Sequence, residues 1–318
     1  MEKKDLRVVF MGTPDFGAAC LDMLHQEGYH LVGVFTQPDR KAGRGHKLVP
    51  PPIKTQAELL EIPVYQFEKI KQPEGVAALR ALAPDVCITA AFGQILSQEI
   101  LDIPKYGVIN VHASLLPKLR GSAPIQWAII TGEQKTGITT MKTALALDAG
   151  DILEQDELVL AEDWNAQALY EKLSVLGAQT LRRTMEKLLA GTLHATPQRE
   201  EEATYYPMFQ KGFGQIDFTD TCRNIYNFVR GCDPHPGAFM MLGETKVKII
   251  RVTAKPGSRE CRPGTIVFAD RKNGFVIAAE DGLVEIDVLQ WPGKSPVSAR
   301  DFLLGHTVKT GQVPEEAK

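Results

Sequence analysis

Two polar side chains two residues apart, Asn110 and His112, interrupt an apolar, β-branched run in residues 108–112. A strand alternates its side chains between two faces, so this pair shares one face while Val111 points into the opposite layer. A third polar side chain, Asp148, lies in the Leu-Asp-Ala-Gly-Asp of residues 147–151, after a second strand-like run at 137–141. A carboxylate beside an imidazole can orient the ring and hold it in its charged form, the role it plays beside a catalytic histidine. The same Asn and His also read as a buried pair that satisfy each other and the backbone, and the residue types alone leave both readings open.

Pro117 and Gly121 end the regular structure after this run, and a helix-compatible stretch follows at 123–131. The polar pair therefore falls near the carboxyl end of a buried strand, which is where ligands bind in open α/β sheets. Upstream, residues 6–11 are apolar, Gly12-Thr13-Pro14-Asp15 breaks them, a helical pattern runs to Glu27, and 31–36 repeats the strand signature. Strand, turn, helix and strand in that order imply a right-handed βαβ unit and a parallel sheet. The turn lacks G-x-G-x-x-G, and Pro14 removes a backbone donor that a pyrophosphate needs, which argues against a nicotinamide dinucleotide. Its backbone either links strand to helix or lines a substrate pocket.

Residues 52–82 read as helix, short strand near Val64, and helix. Residues 85–91 form a further buried strand leading into Phe92-Gly93-Gln94-Ile95-Leu96. An amphipathic helix spans 164–189, with Leu169, Leu173, Leu176, Leu181, Leu188 and Leu189 among its apolar positions, and Gly191 ends it. The expected division is a first domain over 1–190, a polar linker over 191–210, and a second domain over 211–318. The second opens as strand then helix and continues as short strands at 246–252, 264–268, 274–278 and 282–289, which suits a small β-barrel.

With 318 residues and 44% hydrophobic content, the chain can bury two ordinary cores. Its net charge of −3 announces no nucleic-acid partner, so such a site must be a local patch. Five scattered cysteines without C-x-x-C spacing read as reduced thiols of a cytoplasmic protein, with no disulfide and no metal site expected. The charged first residues carry no apolar signal core, and no run approaches the length that crosses a bilayer.

One stretch departs from this balance. Residues 36–52 carry Arg40, Lys41, Arg44 and Lys47 against a single acid, Asp39, with Gly43 and Gly45 between and prolines at either end. Glycine and proline exclude a regular helix or central strand, so a long surface loop is expected. Composition leaves it either a solvated loop or the seat of a polyanion.

Asn110, His112 and Asp148, together with the Ser-Leu-Leu-Pro of Ser114, Leu115, Leu116 and Pro117, resemble the folate-dependent formyltransferases, and the resemblance runs from Phe10 to about Gly311. It implies a Rossmann-like parallel-sheet domain followed by a small OB-like β-barrel. It also implies that a formyl group passes from 10-formyltetrahydrofolate to an amine, with Asn110, His112 and Asp148 as the catalytic trio and no metal. The basic loop narrows the likeness to the branch acting on methionyl-initiator tRNA. There Arg40, Lys41, Arg44 and Lys47 meet the acceptor stem, with Arg44 at the key position, and the carboxy-terminal barrel grips the tRNA. Phe92, Gln94 and Ile95, with Ser114, Leu115, Leu116 and Pro117, are implied to hold the folate, since a flat ring suits an apolar slot with a few placed hydrogen bonds. The chain is expected to work as a monomer without a protein partner. An amine adding to a formamide-like carbonyl builds negative charge on its oxygen, so donors from Asn110 and His112 placed there would lower the barrier.

Overall fold

The first strand, β1 (Arg7–Gly12), explains its own place: Val8, Val9, Phe10 and Met11 are wholly buried, the continuous apolar run of a strand covered on both faces. The structure, a computed structural model, describes residues 2–42, 47–258 and 260–314. In chain order, β1 is followed by α1 (Ala18–Gln26), β2 (His30–Thr36), the short strands β3 (Arg40–Ala42) and β4 (Lys47–Val49), and α2 (Pro52–Leu59). Next come β5 (Val64–Gln66), α3 (Pro73–Ala81), β6 (Val86–Ala90), α4 (Gln98–Leu101) and β7 (Val108–His112). Proline stands at the first turn of both α2 and α3, where its missing N–H costs nothing.

Strands β5, β2, β1, β6 and β7 lie side by side and parallel, the order of a Rossmann-like half-sheet. After β7 the chain forms β8 (Arg120–Gly121), α5 (Pro124–Ile130), β9 (Lys135–Lys142), β10 (Ile152–Val159) and α6 (Ala166–Ala190). β9 adds to β7 antiparallel and β10 to β9 likewise, so the sheet is mixed at this edge. On α6, Leu169, Leu173, Leu181 and Met185 are buried at intervals of four and eight, one stripe of the helix. The glycine-rich stretch expected as a plain loop contains an antiparallel ribbon, Arg40 opposite Val49 and Lys41 opposite Leu48. The ribbon's strands leave out the glycines, which fall between them in sequence, and the prolines, which fall before and after them.

The remaining elements are β11 (Tyr205–Tyr206), α7 (Cys222–Cys232), β12 (Phe239–Leu242), β13 (Thr245–Pro256), β14 (Ile266–Asp270), β15 (Gly274–Ala279), β16 (Gly282–Gln290), β17 (Val297–Ser298) and α8 (Ala299–Gly305). Strands β12, β13, β16, β15 and β14 form an antiparallel half-barrel with β17 on β16, around a core that includes Phe275, Ile277 and Ile286. The chain's last described residues run along its open side. Gly311 and Gln312 exchange backbone bonds with Ile266 on β14 (2.9 and 2.8 Å), and Pro314 accepts from Gly243 in the β12–β13 turn (2.8 Å). The strand expected at the opening of this part is only a bridge, Gln215 to Phe239. Gly214 leaves no room there for a side chain: a Cβ on it would stand 2.1 Å from the Gly237 carbonyl.

The chain divides into two units. One comprises Met1–Pro124, Lys135–Val159 and Tyr170–Tyr206, the other Ile125–Gln134, Leu160–Leu169 and Pro207–Lys318. Residues 191–206, expected as linker, are tied into the first unit. β11 pairs with β8, and Thr196 exchanges two backbone bonds of 2.8 Å with Ile152. The second unit recruits α5 through aromatic packing: Trp127 stands 5.3 Å, centroid to centroid, from both Phe209 and Phe213. Among the described residues no helix is long and apolar enough to cross a membrane.

Candidate active site

β7 carries Asn110 and His112 at the carboxyl end of the parallel strands, as the alternation requires. Asn110 lies in register with Thr89 of β6, whose hydroxyl donates to Asn110 Oδ1 over 2.8 Å. With its oxygen engaged, the amide keeps its N–H groups as donors for another partner. His112 is 7% exposed. Its Nε2 donates to the Leu119 carbonyl at 3.2 Å, which leaves Nδ1 facing Asp148 Oδ1 at 3.8 Å. That separation is an ion-pair distance rather than a hydrogen bond.

Asp148 reaches this place through an unusual backbone. It holds a positive φ of 49°, and Leu119, whose carbonyl meets His112, holds one of 60°. Left-handed backbone at a residue with a Cβ costs about 1–3 kcal/mol and persists where the surroundings over-determine it. Here Gly121 N–H donates to Asp148 Oδ2 at 2.8 Å. Gly150 lets the following turn close, since a Cβ there would stand 1.7 Å from the Lys142 carbonyl.

The residues assigned to folate divide by what they touch. Ser114 is buried and donates to the Lys118 carbonyl (2.7 Å), closing the turn that contains Leu115 and Pro117. Leu116 is braced from β9 and β10: its N–H donates to Thr139 Oγ1 (3.1 Å) and its carbonyl accepts from Gln155 (2.9 Å). Phe92 is buried, and its carbonyl accepts from Thr13 and Gln37. Gln94 spends both ends of its amide on backbone, accepting from Ile70 N (2.6 Å) and donating to Phe67 O (2.7 Å). It therefore ties the loop down from behind. Ile95 is 78% exposed and Leu147, beside Asp148, is 63% exposed. Large apolar side chains left bare on the loops that follow β6 and precede Asp148 are what a heteroaromatic ligand would cover.

In the basic hairpin, Arg40 is held bidentate by Glu68 (3.0 and 2.6 Å), while Lys41 and Lys47 are exposed. Arg44 lies outside the described residues. At the hairpin's root, hydrogen bonds from Gln66 and Lys54 hold the Asp39 carboxyl below the usual carboxylate range.

Sequence reasoning missed Thr89, Arg120 and Gln198. Thr89 left a trace, a hydroxyl inside a strand otherwise composed of Val, Cys, Ile and Ala. Arg120 is almost wholly buried, with Glu200 and Tyr205 on its guanidinium, and Gln198 bonds both to it and to the Asp148 turn. Arg120 and Gln198 lie 78 residues apart, and nothing local marks either.

Comparison with known proteins bears on this geometry. The family model described as formyl transferase matches residues 6–185, and that described as formyl transferase, C-terminal domain, matches 208–307. A methionyl-tRNA formyltransferase from Acetivibrio thermocellus is 44% identical over 309 residues, 97% of this chain and 99% of that one. Among solved structures, WlaRD, a sugar 3N-formyl transferase, aligns at a TM-score of 0.66 and 17% identity, covering 91% of this chain and 99% of its own. HypX from Aquifex aeolicus in complex with tetrahydrofolic acid aligns at a TM-score of 0.63 and 18% identity over 94% of this chain. The chain spans about half of HypX, 47%.

Proposed function

The chain belongs to the formyl transferase family, and from that premise we propose that it transfers the formyl group of 10-formyltetrahydrofolate to the amino group of methionyl-initiator tRNA. The observation that carries this reading is that Asn110 and His112 share one face of β7 at the carboxyl end of the parallel strands, with the Asp148 carboxylate 3.8 Å from the His112 ring. The folate, when bound, supplies a formyl carbonyl on nitrogen. Asn110 contributes an amide donor whose direction is set by Thr89. His112 contributes a ring that is held at Nε2 by Leu119 and faces the Asp148 carboxylate at Nδ1. As an amine adds to a carbonyl, charge grows on the oxygen, and the Asn110 amide, fixed beforehand by Thr89, stabilises it without reorganising, whereas His112 donates there only by releasing its Nε2–H from the Leu119 carbonyl. Asp148 faces the His112 ring at 3.8 Å and can take part in moving the proton that the amine loses.

Ile95 and Leu147 supply the apolar cover for the pterin, while the turn of Ser114, Leu115, Leu116 and Pro117 and the Phe92 and Gln94 backbone shape its edge. Lys41, Arg44 and Lys47 meet the phosphates of the acceptor stem, with Arg40 at the base of the same hairpin. The test is direct. The protein is incubated with 10-formyltetrahydrofolate and methionine-charged initiator tRNA, and the product is hydrolysed and examined for N-formylmethionine. Formylation of the charged tRNA, and none of free methionine, is the expected result; a formylated amino sugar or ribonucleotide under matched conditions, with the tRNA untouched, overturns it.

A further inference from the structure

The Asp148 turn is held from a second side that the trio does not explain. Gln198 Nε2 donates to the carbonyl oxygens of both Asp148 (2.8 Å) and Gly150 (2.6 Å). At the other end of the same amide, Gln198 Oε1 accepts from Arg120 Nε at 3.0 Å. Arg120 is 1% exposed and heads the fully buried side chains by volume. Its guanidinium is fixed by Glu200 and Tyr205 and packs 5.2 Å over the Tyr205 ring. An amide is the group of this length that donates and accepts at once; a carboxylate only accepts and an ammonium only donates. The residue after Arg120 is Gly121, whose N–H holds the Asp148 carboxylate itself. One buried cation thus anchors both bonds that fix Asp148, through its own backbone neighbour and through Gln198.

We propose that Gln198 is a positioning residue that sets the Asp148 carboxylate beside His112, with Arg120 fixing the direction of its amide; the role rests on the formyl-transfer reading above. Asp148 sits in a left-handed conformation, which costs a residue with a Cβ free energy to hold. Releasing its carbonyl lets the turn relax, and the carboxylate moves with its Cα. A displacement of about 1 Å at a reacting centre costs on the order of 10²-fold in rate.

The experiment measures kcat and KM for Gln198→Ala and Gln198→Glu, alone and combined with Asp148→Ala, together with melting temperatures. Gln198→Glu keeps the volume and the acceptor for Arg120 but loses both donors to the turn. Both single variants are expected to lose on the order of 10²-fold in kcat with KM for folate and tRNA unchanged. On the Asp148→Ala background the same changes should alter kcat by less than about twofold, because a residue acting through Asp148 has nothing left to position. The proposal is overturned by near-parental kcat in Gln198→Glu, by a change confined to KM, or by an undiminished loss of kcat on the Asp148→Ala background. Failure of Gln198→Glu to fold also overturns it, making Gln198 a residue of the fold. A parent protein that leaves the charged tRNA unformylated fails at the earlier step, and so separates the two readings.

Discussion

Thr89 on β6 and Asn110 on β7 stand opposite each other in the parallel sheet, and the threonine hydroxyl donates to the amide oxygen over 2.8 Å. The bond decides which end of the amide is free. Asn110→Ala should lower kcat by about 10²–10³-fold, the cost of one oxyanion donor. Thr89→Val keeps the amide and frees its orientation. A net hydrogen bond of about 1 kcal/mol predicts a loss of roughly fivefold in kcat, read by steady-state kinetics at saturating folate and tRNA. Equal losses in the two variants would sink the orienting role.

His112→Ala and Asp148→Ala should each lower kcat by at least about 10²-fold, the lower end of what a positioned proton-transfer group contributes. Affinity for tetrahydrofolate, followed by fluorescence or calorimetry, should stay near the parent value because the apolar cover around Ile95 and Leu147 is untouched. Lost folate binding in step with lost turnover would assign these residues to the ligand pocket instead.

Gly150→Ala places a Cβ where the Lys142 carbonyl stands, 1.7 Å away. Overpacking of this kind costs about 1–3 kcal/mol when the backbone can shift. The shift available here is that of the Asp148 turn, so kcat should fall more than the melting temperature indicates. An alanine variant that melts lower but turns over normally would show that the turn and the carboxylate move independently.

The hairpin cations differ in what they can offer a phosphate. Lys41→Ala and Lys47→Ala should each raise KM for charged tRNA and reduce the slope of log affinity against log salt by about 1. Arg40 is engaged by Glu68. Arg40→Ala should therefore change the slope less, and Glu68→Gln, which releases the guanidinium, should steepen it. Titrations of tRNA binding at several salt concentrations decide between these, and identical slopes throughout would remove the hairpin from the interface.

In the second unit the backbone N–H of Cys222, at the start of α7, donates to Asp281 at 2.6 Å, and that bond holds the Asp281 carboxyl below its ordinary value. A carboxyl lower in the folded than in the unfolded chain stabilises fully above the ordinary range near about pH 4, and the contribution fades as pH falls through the lowered value. Asp281→Asn should accordingly be less stable than the parent by a constant margin from about pH 7 to 5, with the margin closing below about pH 4 in urea titrations. A margin unchanged at low pH would mean that the charge adds nothing to this cap.

The alternation that put Asn110 and His112 on one face, the apolar runs of β1, β2, β6 and β7, and the stripe on α6 are local properties, written within a few residues of one another. The half-barrel strands β13 to β16 declared themselves in the same way, through short apolar runs between turns, while β12 and β17 did not. What residues 191–206 do was hidden, because a polar, proline-containing stretch shows its solubility and not which distant backbone groups its N–H and C=O will meet. The same reason concealed the ribbon in the basic segment and the bridge that replaces the strand expected before α7.

From its own order of residues, this chain determined that a sheet would form and that an amide and an imidazole would stand together at its carboxyl edge, since periodicity needs only neighbours in sequence. Tertiary structure alone decided where the Asp148 carboxylate would point and which end of Asn110 would be free. Those outcomes depend on Thr89, Gly121, Arg120 and Gln198, whose contacts close loops of 21 to 78 residues. Bonds across such distances exist only once the intervening chain has packed, so no local pattern can carry them.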